Sequence, residues 1–222
     1  KIPNMVSVQM NINKKPGNVI LGPLTKLIAG REYIIDELEG LKFKISARSF
    51  YQVNPIQTSI LYKKVKEYAS LSGNETVFDL YCGIGTIALT LADSAKHIIG
   101  IEIVPEAIAD AIENAKLNGI TNATFLCGTA EELVPELIAN GKFPDVIIVD
   151  PPRAGCDPQL LTTIVQVKPC RLIYVSCNPA TLARDLKYLC ENGFAVIEVQ
   201  PVDMFPHTSH VETVVLITRV EK

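Results

Sequence analysis

Residues 6 to 12 alternate Val6, Val8, Met10 and Ile12 against Ser7, Gln9 and Asn11, the period of a strand with one buried face. A Lys-Lys-Pro-Gly-Asn break at 14–18 follows. Residues 19–22, 31–38 and 41–46 then continue as short apolar strands separated by glycine-containing turns. The period changes at Asn54. Asn54 reads as an N-cap and Pro55 as a first helical residue, with Ile56, Ile60, Leu61, Val65 and Tyr68 on one face and Gly73 closing the helix.

Beyond that helix, apolar runs and helical patterns take turns. Strands are expected at 76–83, 97–104, 123–128, 144–150 and 171–176, and helices at 86–95, 105–119, 130–141, 157–167 and 179–193, with Pro135 interrupting the third of these. Continuous apolar strands separated by helices imply a parallel sheet covered on both faces. The last two strands, 194–202 and 211–220, are joined by a loop too short for a crossover helix, so they pair antiparallel. The fold expected is α/β: a doubly wound, mostly parallel, Rossmann-like sheet with a final antiparallel hairpin. It is similar to that of class I S-adenosylmethionine-dependent methyltransferases. A β-rich segment spans 1–53, the remnant of a central domain, and the α/β domain spans 54–222.

Composition narrows the classes. The 222 residues are 48% hydrophobic and 20% charged, as in a soluble globular protein. No apolar run has the length of a membrane span and no signal peptide opens the chain. Six scattered cysteines without a C-x-x-C pair, and three histidines without finger spacing, indicate reduced thiols in a cytosolic protein and no metal site. A net charge of −3 argues against a free-standing nucleic-acid clamp.

Candidate chemistry gathers at strand ends. Gly83, Gly85 and Ala88 satisfy the loose G-x-G-x-x-G/A pattern, and Glu102 stands where a ribose-binding acid belongs. That pattern serves both dinucleotides and S-adenosylmethionine. Asp79, beside the same loop, disfavours a pyrophosphate and favours a cationic ligand, although it would also serve as a local cap. Asp150-Pro151-Pro152-Arg153 follows the fourth strand, where a stiff turn fixes the carboxylate of Asp150. Cys177 ends the fifth strand, with Asn178 and Pro179 opening a helix, so its thiol lies at a helix N-terminus that favours the thiolate. Cys190, in mid-helix, has the position expected of a buried structural cysteine. Glu212 begins the last strand, either as a solvated edge residue or as a base near Cys177. His207 and His210 flank it as weaker candidates.

Together, FYQVNP, DLYCGIGT, GIEIV, VDPPRAG, YVSCNPATLARD and HVETVVLI resemble the RNA uracil-5-methyltransferases, above all the 23S ribosomal RNA branch. The resemblance implies S-adenosylmethionine as cofactor and RNA as partner, ribosomal rather than transfer RNA. It implies Cys177 as the nucleophile that adds to C6 of uracil and Glu212 as the base that removes the C5 proton. Cofactor contacts are implied for Gln52, Tyr81, Thr86, Glu102, Thr129 and Asp150, in addition to Asp79, Gly83 and Gly85. Relatives usually carry an N-terminal RNA-binding β-barrel, many with an iron–sulfur site. Their absence here, with Lys1 as first residue, points to a C-terminal fragment with weak RNA affinity. An adenine amino-methyltransferase is the nearest rival, but its D-P-P motif is followed by an aromatic residue and it has no use for Cys177. A cytosine-5-methyltransferase would use Cys156, which lacks the surrounding pattern. A non-catalytic binding module would have no need of Cys177 and Glu212.

Overall fold

The computed structural model describes residues 2–14 and 21–220. The expected strand at 19–22 and the break at 14–18 lie mostly outside these residues. Before Asn54 the chain forms two small antiparallel pairs: β1 (Ser7–Ile12) with β2 (Leu24–Gly30), and β3 (Tyr33–Leu38) with β4 (Leu41–Ser46). β2 has no counterpart in the sequence reading, because both of its faces are largely exposed and no alternation marks it. The β3–β4 hairpin sinks Leu38, Phe43 and Ile45 into the main core.

Helix α1 (Pro55–Ala69) starts as expected, with the Asn54 side chain accepting from the Gln57 N–H at 3.2 Å. Its buried face is rotated from the expected one. Thr58, Leu61, Tyr62, Val65, Tyr68 and Ala69 are inside, while Ile56 and Ile60 are exposed. The Thr58 hydroxyl donates to Asn54 O at 2.7 Å, which satisfies it and lets this polar residue be buried on that face. Ser70, in a left-handed conformation, ends the helix, and Gly73 lies in the turn beyond.

The remaining elements are β5 (Thr76–Leu80), α2 (Thr86–Leu91), β6 (His97–Glu102), α3 (Pro105–Leu117), β7 (Ala123–Cys127), α4 (Ala130–Ala139), β8 (Val146–Val149), α5 (Pro158–Val167), β9 (Arg171–Ser176), α6 (Pro179–Glu191), β10 (Phe194–Val202) and β11 (Glu212–Arg219). Pro135 sits inside α4 without breaking it. Seven strands form one sheet in the order β10-β11-β9-β8-β5-β6-β7, parallel except for β11. Successive strand residues face opposite sides: Val77, Ile98 and Ile148 join one core with α1, α2 and α3, while Phe78, Ile99 and Ile147 join the other with α4, α5 and α6. Both faces are covered, which is why the strands read as unbroken apolar runs. The parallel strands β5 and β8 are neighbours where the order of strand addition reverses, from β5-β6-β7 on one side to β8-β9 on the other, and the carboxyl edge at such a switch point is where open α/β sheets bind ligands.

Among the described residues no helix is long and apolar enough to cross a membrane. The six cysteines are free thiols, and no group of three or more metal-ligating side chains occurs among the described residues.

Candidate active site

Strand order turns scattered motifs into one row. Along the carboxyl edge of the parallel strands lie Cys177 after β9, Asp150 after β8, Asp79 and Tyr81 at the end of β5, Glu102 on β6 and Thr129 after β7. Glu212 joins them because β11 runs the other way. The register pairing Thr213 with Ser176 carries Glu212 and Cys177 to opposing positions just beyond the ladder. β10 takes the outer edge of the sheet, so β11 is interior and Glu212 is only 4% exposed. It is therefore not a solvated edge residue.

The glycine loop is held from both ends. Gly85 has φ 81° and opens α2, and a side chain there would meet the Phe125 ring at 2.9 Å. Asp79 Oδ2 accepts from the Ala88 N–H at 3.0 Å, which caps α2 from the strand below. Glu102 accepts from Gly83 N–H at 3.2 Å and from Val104 N–H at 2.9 Å. Thr86 shares a 2.7 Å hydrogen bond with the Tyr62 hydroxyl. Tyr62 was not singled out from the sequence, because its partner lies on another helix.

Two small cavities cover this loop. One, of about 40 Å³, is lined by Gln52, Tyr62, Asp79, Tyr81, Gly83, Thr86 and Asp150, among others. The second, of about 70 Å³, is lined by Tyr81, Glu102, Gly128, Thr129 and Glu131, among others. Tyr81 lines both, with φ 68° and its hydroxyl donating to Glu131 at 3.1 Å. Thr129 is the N-cap residue of α4, and its hydroxyl donates to Glu132 at 3.0 Å.

The first cavity carries a chemical signature. Gln52 Oε1 and Asp79 Oδ1 are buried acceptors without a partner, and the buried Tyr51 hydroxyl also lacks one. Asp150 lines the same space, and no basic side chain does. Buried acceptors left unmade are costly. Two carboxylates and an amide oxygen therefore call for a ligand that brings donors and positive charge, as the amino acid end of S-adenosylmethionine does. The residues present fit that group.

A third cavity, of about 290 Å³, is lined by Arg153, Cys177, Asn178, Pro179, Ser209, His210 and Val211. His210 thus faces Cys177, whereas exposed His207 does not line the cavity. Asn178 caps α6 by accepting from Ala180 N–H at 3.1 Å. The helix holds the D-P-P-R loop: Asn178 Nδ2 and Thr181 Oγ1 donate to Arg153 O, and Arg184 donates to Ala154 O. Asp185, fully buried, accepts from Cys156 N–H at 2.9 Å and from the Tyr174 hydroxyl at 2.7 Å. Cys156 is accordingly buried behind the loop, away from the Cys177 cavity. Cys190 is exposed, not the buried cysteine its mid-helix position implied.

Charge at the site is set by crowded acids. Burial, with the neighbouring Glu102 charge, pushes Asp79 up to about 7, against the Ala88 hydrogen bond that lowers it. Burial and the charges of Glu212 and Asp79 push Asp150 up to about 8. Burial also raises Glu212. Burial and then the Glu212 and Asp150 carboxylates raise the Cys177 thiol, opposed by its own backbone amide and by Arg153.

The family model for tRNA (uracil-5-)-methyltransferases matches residues 22–220. A protein of Bacillus cereus described as an RNA methyltransferase is 60% identical over all of this chain and 48% of its own length, and one of Enterococcus faecalis is 59% identical over 98% and 48%. This chain thus spans about half the length of those relatives. Among solved structures, the Pyrococcus abyssi tRNA (uracil-54, C5)-methyltransferase in complex with S-adenosyl-L-homocysteine superposes with a TM-score of 0.82 at 34% identity, over 97% of this chain and 51% of that one. A tRNA m1G37 methyltransferase of M. jannaschii shares only the fold, with a TM-score of 0.66 at 16% identity over 89% of this chain and 61% of that one. A match that runs from the β-rich segment to the last strand, through every motif on the carboxyl edge, makes this chain a member of the tRNA (uracil-5-)-methyltransferase family.

Proposed function

We propose that this chain holds S-adenosylmethionine and methylates C5 of a uridine in RNA, through a covalent bond between Cys177 and C6 of the base. The reading rests on one observation above others: the β9–β11 register sets a half-buried cysteine opposite a buried glutamate, with Asp150 on the next strand.

Gln52, Asp79 and Asp150 would hold the cationic end of the cofactor, Gly83, Gly85 and Thr86 its middle, and Glu102, Tyr81 and Thr129 its nucleoside. When bound, it supplies an electrophilic methyl group on a sulfonium. Uracil C5 is too weak a nucleophile to accept that group unaided. Addition of Cys177 Sγ to C6, its thiol proton passing to solvent, moves the C5–C6 pair into a C4–C5 enolate and makes C5 nucleophilic. Once C5 is alkylated, the Glu212 carboxylate takes its proton. The C5–H electrons restore the C5–C6 double bond as the C6–S bond breaks and the thiolate leaves. Burial raises the proton affinity of Glu212 toward that of a useful base. A uridine in structured RNA has to leave its stack to enter the cavity beside Cys177.

In this reading residues 54–222 form the catalytic domain, and the RNA is ribosomal. Incubation with radiolabelled S-adenosylmethionine and RNA lacking 5-methyluridine, followed by nucleoside analysis, tests it. Label is expected in 5-methyluridine, from ribosomal RNA ahead of transfer RNA. Label in N6-methyladenosine would assign the site to an amino-methyltransferase instead.

A further inference from the structure

Helix α3 carries Asp110 and Asn114, and its C-cap Asn118 follows at the same interval of four residues, on one face. Opposite them runs the free edge of β4. Lys42 N–H donates to Asn118 Oδ1 and Lys42 O accepts from Asn118 Nδ2, each at 2.8 Å. Lys44 N–H donates to Asn114 Oδ1 at 2.6 Å and Lys44 O accepts from Asn114 Nδ2 at 3.2 Å. Ser46 N–H donates to Asp110 Oδ2 at 3.2 Å.

The spacing explains the match. Four helical residues advance about 6 Å and two strand residues about 6.6 Å. Alternate backbone groups of β4 therefore meet successive side chains of α3, and the helix imitates a neighbouring strand. One rung does more. Asn114, fully buried, also donates through Nδ2 to Ile84 O at 3.2 Å, inside the glycine loop. The segment leaving β4 contains Tyr51 and Gln52, which line the first cavity together with Gly83 and Ile84.

We infer that Asn114 is a positioning residue for cofactor binding: its one amide fixes the glycine loop to the β4 backbone, and so makes the β3–β4 hairpin part of the cofactor site. The inference rests on the cofactor assignment above and goes beyond it, since Asn114 lines neither cavity over the loop. Asn118 provides an internal control. It grips β4 with the same two bonds but does not touch the loop.

Binding of S-adenosyl-L-homocysteine is to be measured by calorimetry for the wild type, Asn114→Ala and Asn118→Ala, together with hydrogen exchange of the segment containing Gly83 to Thr86 and a urea titration of each. Losing the loop bond is expected to weaken binding about tenfold in Asn114→Ala, and under about twofold in Asn118→Ala. Exchange of the loop amides should quicken only in Asn114→Ala. Equal effects of the two variants on affinity and exchange, at matched stability, would overturn the inference. If Asn114→Ala does not fold, Asn114→Asp keeps the acceptor for Lys44 N–H and removes the donor to Ile84 O; unchanged affinity there would overturn it equally. A wild type that binds no S-adenosyl-L-homocysteine would instead overturn the cofactor assignment on which the inference stands.

Discussion

Replacing Asp185 by alanine should cost the protein more than any ordinary helix substitution, and the structure gives the size. Asp185, Tyr174 and Cys156 are all buried, with Asp185 and Tyr174 at 0% exposure. Alanine leaves the Cys156 N–H without its acceptor and the Tyr174 hydroxyl with only the weak acceptor Cys156 Sγ, at about 1–3 kcal/mol each. The Arg184 side chain is 57% exposed, so it turns to water and its lost ion pair adds little. The sum is a destabilisation of about 2–6 kcal/mol, which brackets the ~3–5 kcal/mol found when one partner of a buried charged network is removed. Tyr174→Phe deletes one of the stranded donors in advance, so in that background Asp185→Ala should cost about 1–2 kcal/mol less. Urea titrations followed by far-ultraviolet circular dichroism suit a chain without tryptophan. A loss below about 1 kcal/mol, or a double-mutant cycle additive within about 0.5 kcal/mol, would refute the reasoning.

Other outcomes follow from the same geometry. Asp79 and Asp150 are held up to about 7 and about 8, so the folded protein binds their protons more tightly than the unfolded chain, whose carboxyls titrate near about 4. The stability they contribute is present below about pH 4 and lost as pH rises through the folded values. Asp79→Asn should flatten the decline in urea midpoint between pH 5 and 8, and a curve parallel to the wild type would contradict this. Because Glu212 raises the Cys177 thiol, Glu212→Gln should speed carbamidomethylation of Cys177 at pH 7.5 by about two- to tenfold. Peptide mass mapping separates it from exposed Cys127, Cys170 and Cys190, and an unchanged or slower rate would count against the electrostatic account. Gly85→Ala, with positive φ and the Phe125 ring in the way, should destabilise by about 1–3 kcal/mol. Gly83→Ala, with open space around the new Cβ, should cost less in the same urea titration, and the reverse order would contradict the packing argument.

The α/β layering was legible because burial on both faces of the sheet leaves an uninterrupted apolar run in each strand, as in Val146–Val149. The caps at Asn54 and Asn178, and Pro105 as the first residue of α3, were equally plain, since they act within a few residues. What failed was whatever depended on a distant neighbour. The rotated face of α1 includes Thr58, a polar residue that an apolar count ignores. The burial of Glu212 comes from β10 taking the edge, which the hairpin alone does not decide. The Cys177 thiol is raised by burial and then by carboxylates 35 and 27 residues away, Glu212 and Asp150, which a helix-end argument does not include. Asn114 and Asp185 look like ordinary polar helix residues until their partners, at separations of 70 and 29 residues, are known. The candidate row itself was readable as motifs, but only the strand order brought its members to one edge.

The central claim is that Cys177 adds to C6 of a uridine. It is tested most directly with S-adenosylmethionine and an RNA containing 5-fluorouridine, followed by intact mass with RNA binding monitored in the same sample. Fluorine at C5 cannot leave as a proton does, so Glu212 has nothing to remove and the adduct persists. The account predicts a protein–RNA adduct mapped to Cys177 and absent from Cys177→Ala. RNA bound without any adduct would contradict it.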